Sequence, residues 1–594
     1  MHLSCRLVLL AAVLFAGCVA PGVEASKGSA YAHAASVPVF VNKVGPYYNP
    51  SETYDFYSLP FCQPKPIVYK KISLGEALTG WKQANTPFDI KFGVNVDNAV
   101  LCDTVMLSKR DVQDLREAIE ELYFFEFSID DLPVWGSIGR LEEVTFPHTH
   151  RMFLWRHYHF YFEYNGDRIV YANVTMDSEN PVEIFDLMPD KSIEFTYSVA
   201  WIPTTLPADK RMTHFASDSF FPTELEVHWL SIINSVSLVV LLTGVVAIIM
   251  LRVLRADFAR YTRQMDDLDE QVYEDSGWKV IHGDVFRFPE HRTLFCAVLG
   301  VGTQFLVVCG LLLAMALFGM FNVHQHGSMN SAVIAIYALT SGISGYISGS
   351  FFKKIGGQNW VWNIMLTACL FSVPFFLVWS IINSIAWAYE STQALPVSKI
   401  LIVMCLWLFV GFPLTVVGGI VGKNSAASFD APVRTKNIPR EIPPASFFRS
   451  TPALMIAGGF LPFSAISIEL YYIFDTLWGR QPYTLFGILA IVFVILLLVT
   501  ACVSIALTYY SLAGEDYQWW WRSILNAGST GLFVLVYSVF YYFHRSNMSG
   551  ALQTAKFFGY TLMTCLIFFL MLGSVGFFVS LQFVRYIFRS LKAD

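Results

Sequence analysis

Glu469 stands inside an otherwise apolar run, Leu461-Pro-Phe-Ser-Ala-Ile-Ser-Ile-Glu-Leu-Tyr-Tyr-Ile-Phe474. A carboxyl group in hydrocarbon is costly unless paired or wetted, which makes it a candidate for function. Three uses fit it: contact with a neighbouring or client helix, a structural bond within its own bundle, or a proton-coupled transport site whose pKa burial raises. It precedes Phe474 by five residues, so a helix rising about 1.5 Å per residue puts it ~8 Å from the end of the run, within reach of water. Two histidine pairs invite a metal, His148-Thr-His150 and His157-Tyr-His159. On a strand, residues i and i+2 point to one face. No cysteine or third ligand is spaced to complete a site, which favours an aromatic strand surface with incidental histidines. His282 and Asp284, in Ile281-His-Gly-Asp-Val285, also lack partners spaced for metal or acid–base work, so a docking or folded-loop role fits them better. No nucleophile elbow, phosphate loop, HExxH run or intramembrane aspartate pair occurs. The expectation is a protein that is not an enzyme and needs no cofactor.

The elements that would hold these groups are mostly membrane spans. Past residue 228 the chain has nine apolar stretches, at about 228–251, 294–318, 331–352, 361–383, 400–422, 452–474, 486–510, 524–543 and 557–583. Each approaches or exceeds the ~20 residues that a helix needs to cross ~30 Å of hydrocarbon. Composition agrees: of 594 residues 55% are hydrophobic and 14% charged, against about 25% charged in a soluble domain. A net charge of −6 without a compact basic patch argues against nucleic acid.

The first 25 residues read as a secretory leader, with Arg6 before the apolar run Leu7 to Ala16 and cleavage after Ala20 or Ala25. Residues 26–227 would then face the lumen and 228–594 would form the transmembrane domain. Charge tests that orientation. Basic residues cluster in the loops expected in the cytosol: Arg252, Arg255, Arg260 and Arg263; Lys353 and Lys354; Lys423, Arg434, Lys436, Arg440 and Arg449; Arg522; then Arg585, Arg589 and Lys592. The short lumenal loops hold Lys399, Arg480, Arg545 and Lys556. The N-terminus is expected in the lumen and the C-terminal tail, 584–594, in the cytosol.

In the lumenal domain, Phe153–Tyr164 and Arg168–Thr175 flank Asn165-Gly166, a hairpin signal, and Phe88–Val96 and Ile193–Ile202 also read as strands. Ser108 and Asp111 start a helix that carries Val112, Leu115, Ile119 and Leu122 on one face. The expected fold is a β-sandwich-like domain on an all-α bundle of nine transmembrane helices. Cys62 and Cys102 are candidates for a disulfide on the oxidising side. Asn173-Val-Thr175 is a candidate glycosylation site, and Asn547-Met-Ser549 is too close to the membrane to be as good a one. Small residues recur at four-residue spacing in Ser341, Gly345 and Gly349, and again in Gly418 and Gly422. Such faces serve close packing within the bundle or a groove for a client helix. Pro374, Pro413 and Pro462 are positioned to kink spans four to six. The cluster Trp519-Trp520-Trp521-Arg522 reads as an interfacial belt anchor.

Several long strings carry a resemblance. These are Glu274-Asp-Ser-Gly-Trp-Lys-Val-Ile-His-Gly-Asp-Val-Phe-Arg-Phe-Pro289, the Leu461–Phe474 run, Leu512-Ala-Gly-Glu-Asp-Tyr-Gln-Trp-Trp-Trp-Arg-Ser523 and Phe195-Thr-Tyr-Ser-Val-Ala-Trp201. With the leader and nine spans, they resemble the nonaspanins, the transmembrane-nine superfamily. The resemblance implies a multi-pass protein of Golgi and endosomal membranes that sorts membrane proteins, notably cargo with glycine-rich transmembrane helices, and supports adhesion or phagocytosis. It also implies that Lys592-Ala593-Asp594 is a tail signal, with Lys592 and Asp594 read by vesicle coat subunits for Golgi retention. The expected partners are membrane lipids, client transmembrane proteins and coats. The competing class is an ion- or solute-coupled transporter or channel that uses Glu469; few other ionisable groups in the spans could form a relay.

Overall fold

The computed structural model describes residues 28–145, 148–176, 181–184, 192–211, 229–266, 277–321, 327–444, 446–479 and 486–589. The leader, Lys592 and Asp594 lie outside them.

Two four-stranded sheets organise the N-terminal domain. One runs in the order Ala84–Asn85, Val39–Gly45, Phe124–Ile129, Leu132–Ser137, and the other Arg168–Met176, His157–Asn165, Thr196–Pro203, Val96–Val100. Within them only Thr196–Pro203 and His157–Asn165 pair in parallel. Side chains alternate along a strand, and Tyr158, Phe160 and Phe162 accordingly point inward between half-exposed neighbours. Phe125 and Phe127 of the first sheet meet Tyr158 and Phe160 of the second at ring distances of 5.8–6.2 Å. This aromatic seam is the centre of the core.

Asn165-Gly166 does turn the hairpin, with Gly166 at φ +64°. The short helix Leu74–Leu78 (α1) and the helix Lys109–Glu120 (α2) both begin with capping boxes; Asp111 N donates to Ser108 Oγ, and Ser108 N donates to Asp111 Oδ2. Val112, Leu115 and Ile119 are buried, whereas Leu122 falls past the helix end at φ +54° and is exposed. The strand expected over 88–96 is not formed. Only Lys91 pairs there, in an isolated bridge to Ser36; Gly93 at φ +72° breaks the extended course, and a continuous strand starts at Val96. Cys62 and Cys102 are joined by a disulfide with a Cα–Cα distance of 5.9 Å.

Among the described residues, eight helices are long and apolar enough to cross a membrane. They are Arg292–Leu317 (α4), Ser328–Lys354 (α5), Trp360–Ala388 (α6), Val397–Ser425 (α7), Thr451–Trp478 (α8), Phe486–Ala513 (α9), Trp519–His544 (α10) and Ala551–Arg589 (α11). The first of the nine expected spans falls on the helix Trp229–Asp266 (α3), where Val239 packs on Val499 and Val503 of α9. α11 runs to Arg589, so half of the expected free tail 584–594 is helix. In α7 a π-helical turn, Trp407–Gly411, lies just before Pro413. That turn accommodates the carbonyl that a proline ring would otherwise strike.

Candidate functional site

The two parts of the chain meet in a polar junction built by residues 49–80 and by the bundle loops nearest to them. Thr53 Oγ1 lies 2.7 Å from Thr392 Oγ1, Thr392 N donates to Thr53 O, and Ser391 Oγ donates to the same carbonyl. Ser51 N donates to Gln553 Oε1 at 3.0 Å. Lys556 Nζ donates to Ser51 O at 3.3 Å and to Gln393 Oε1 at 2.6 Å. Asn49 and Ser549 exchange two hydrogen bonds, and Lys399 Nζ reaches Ile72 O. At a further contact, α1 lies directly on the start of α5: a Cβ on Gly75 would stand 2.1 Å from Gly327 O. Helices α5, α6, α7 and α11 thus all have one end at this domain.

Two charged side chains are buried in the junction, Lys556 and Glu52. Burial pushes the Glu52 carboxyl above its ordinary value and Glu121 adds to the shift, against hydrogen bonds from Tyr54 and Asn49 and the charge of Lys556. A Cβ on Gly550, at φ +82°, would stand 3.3 Å from both Glu52 carboxylate oxygens. Sequence reasoning missed this site. Lys556 counted only as a loop charge, and neither Glu52 nor the threonine pair carries a local signal, since their partners lie hundreds of residues away.

The glycine faces are brought together, each filling the other. A Cβ on Gly345 would lie 2.0 Å from Thr415 O, one on Gly349 2.5 Å from Gly419 O, one on Gly418 2.0 Å from Gly342 O and one on Gly422 2.2 Å from Tyr346 O. Thr415 Oγ1 adds a hydrogen bond across to Ser341 O. Helices α5 and α7 therefore touch backbone to backbone, as small residues permit. Of the two uses these glycines allow, the geometry is that of packing within the bundle, because α5 and α7 occupy each other's face.

Glu469 is 5% exposed, on the stripe of α8 that also carries Gly458 and Pro462. Its helix runs further than expected. The helix continues to Trp478, which places Glu469 ~14 Å from its end. The extra turn includes Asp475, whose Oδ1 accepts from Tyr541 Oη at 3.4 Å. His157 Nδ1 lies 2.7 Å from Thr196 Oγ1. The side chains of His148 and His150 lie outside the described residues, and no metal-competent His/Cys/Asp/Glu group is found among the described ones. Asn173 is half-buried on the edge strand Arg168–Met176, its own Oδ1 accepting from Val174 N.

The profile of a family described as endomembrane protein 70 matches residues 53–551. The chain belongs to this family, the transmembrane 9 superfamily. It is similar to transmembrane 9 superfamily member 1 of Pongo abelii, 55% identical over 599 residues that cover 100% of this chain and 98% of that one. Member 4 of Arabidopsis thaliana is 45% identical over 590 residues, 99% of this chain and 98% of its own. A Dictyostelium discoideum protein provisionally named phagocytic receptor 1b is 45% identical over 595 residues, 100% of both chains. No solved structure matches.

In this transmembrane 9 superfamily protein the far end of the bundle is a packed platform rather than a fringe of loops. Trp519 and Trp520 are almost fully buried, and Trp519 stacks on Phe577 and donates Nε1–H to Val285 O at 2.8 Å. The belt-anchor reading is therefore corrected for these two; Trp521 alone stays half-exposed while donating to Glu290 O. Arg522 pairs with Asp516. The string Ile281–Val285 forms the other wall. Gly283 O accepts from Lys436 N at 2.8 Å, and Asp284 holds Arg287, which donates to Lys436 O.

Proposed function

We propose that this protein is a sorting receptor of Golgi and endosomal membranes, with its N-terminal domain in the lumen and its far-end platform and tail in the cytosol. The observation that carries the reading is the junction. A domain tied by hydrogen bonds to the ends of four helices can pass the state of a bound ectodomain to the bundle, which a domain on a flexible stalk cannot. The nine-crossing reading is supported by connectivity: α3 follows the domain, and the residues after it, 277–289, pack on Trp519 at the opposite end. Nine crossings, an odd number, would put a tail carrying Lys592 and Asp594 on the side where coats assemble.

Client transmembrane helices would be met on an outer face, since the glycine faces are filled. The first ten residues of α7, Val397–Leu406, include no buried side chain. A photo-crosslinker at Leu401 is expected to capture multi-pass clients that one at Gly419 does not, and identical yields would remove this face from the reading. Replacing Lys592 and Asp594 with alanine is expected to move the protein from Golgi to later compartments, and unchanged localisation would sink the tail signal. The transporter reading draws on the buried Glu469 and on the prolines of spans four to six.

A further inference from the structure

Among the described residues at the far end of the bundle, Lys354, Arg585 and Arg589 gather around a single nearby carboxylate, Asp430. Lys354 closes α5, and Arg585 lies in the last turns of α11 close enough to repel it. The Lys354 ammonium rests over the Phe351 ring at 5.3 Å and the Arg585 guanidinium over Phe429 at 4.9 Å. Arg585 Nε is buried without an acceptor among the described residues. The carboxylate beside them, Asp430, is already bonded to Arg589. Among the described residues, Arg585 and Arg589 thus share Asp430, and Lys354 stands beside Arg585.

Towards the hydrocarbon from these cations, an open groove of about 400 Å³ lies between α9 and α11. It is lined by Ile505, Phe578, Val579, Gln582, Phe583 and Tyr586, and its surface is almost wholly apolar. Arg585 and Arg589 follow Gln582 and Tyr586 by three residues, which puts them on the adjoining stripe of the same helix. Phe578 also packs on Phe351 at 5.5 Å, so the groove wall reaches the helix end that bears Lys354.

We propose that this is a binding site for an anionic phospholipid, with its phosphate among Lys354, Arg585 and Arg589 and one acyl chain in the groove. The charge excess selects the head and the groove selects the tail. A soluble anion would leave the groove unused, and a zwitterionic lipid would leave the excess charge unmet. A client helix, ~10–12 Å across, is too wide for the space.

The test uses the full-length protein in detergent and native mass spectrometry, with dioleoyl phosphatidylserine and dioleoyl phosphatidylcholine offered at equal concentration. The wild type is expected to retain phosphatidylserine in preference, and each cation removed is expected to weaken that preference about fivefold. The variants are Arg589→Gln alone and Lys354→Gln with Arg585→Gln. Val579→Trp, which fills the groove, is expected to lower retention of both lipids. Glycerophosphoserine, the head without its chains, separates a lipid site from a free-anion site and is expected not to compete. Equal retention of the two lipids by the wild type overturns the proposal whether or not any variant folds. Full competition by the soluble head overturns it too, as does an undiminished preference in variants whose melting temperature is unchanged.

Discussion

Gly345→Ala is expected to be among the most damaging single-methyl changes in the bundle. The added Cβ would meet Thr415 O at 2.0 Å and Gly419 N at 2.8 Å, both backbone atoms of the facing helix. Ordinary contact needs about 3.5 Å, so α5 and α7 must part by ~1.5 Å, with no side chain able to rotate away. A gap of ~1 Å already forfeits up to about half of each dispersion contact. The three other close approaches, at Gly349, Gly418 and Gly422, would loosen together. The expected cost is about 3 kcal/mol, the upper end of the usual overpacking range. Gly342→Ala is the internal control, on the same helix and one turn away. There the nearest atom, Leu414 O, stands 3.5 Å off, and the change should be neutral or gain up to ~1 kcal/mol from helix propensity. Thermal unfolding of the purified protein, followed by a thiol-reactive dye on the buried Cys296 and Cys565, measures both. Equal melting temperatures for the two variants would refute the backbone-contact argument.

Acid should tighten the domain junction through Glu52. Its carboxyl is raised by burial, so its contribution is fully present below the ordinary value near 4.5 and is lost as pH rises through the shifted one. Stability is therefore expected to climb as pH falls from neutral through the shifted value towards the ordinary one, and Glu52→Gln should flatten that slope while raising stability at neutral pH; parallel melting curves against pH would contradict this. Trp519→Phe leaves Val285 O without its donor inside the platform, at an expected cost of ~1–3 kcal/mol in chemical unfolding, whereas a belt anchor would lose almost nothing. Glu469→Gln in proteoliposomes should leave proton and solute flux at the level of empty vesicles, as in the wild type; a wild-type flux that the variant abolishes would favour transport over sorting.

Much of the architecture was legible because it is written locally. Hydropathy over about 20 residues marks a span wherever its neighbours lie, the capping box at Ser108 involves only residues three apart, and Asn165-Gly166 needs only its own backbone freedom. Misreadings arose where one residue type suits two environments. Tryptophans beside an arginine fit an interfacial belt as well as a buried stack, and only the approach of Val285 and Phe577 decides for the stack. The helix carrying Glu469 runs on past Phe474, where Tyr541 of another helix bonds Asp475.

The sequence by itself determined the membrane class, the family, the β-rich N-terminal domain and the places of the apolar helices, since each rests on composition, short-range periodicity or long contiguous strings. The tertiary structure alone decided that the glycines of α5 and α7 serve each other, that Glu52 and Lys556 are buried together in a junction, and that Arg585 and Arg589 share Asp430. Those facts depend on the register between helices and on contacts across hundreds of residues. No local pattern records which face will find which partner.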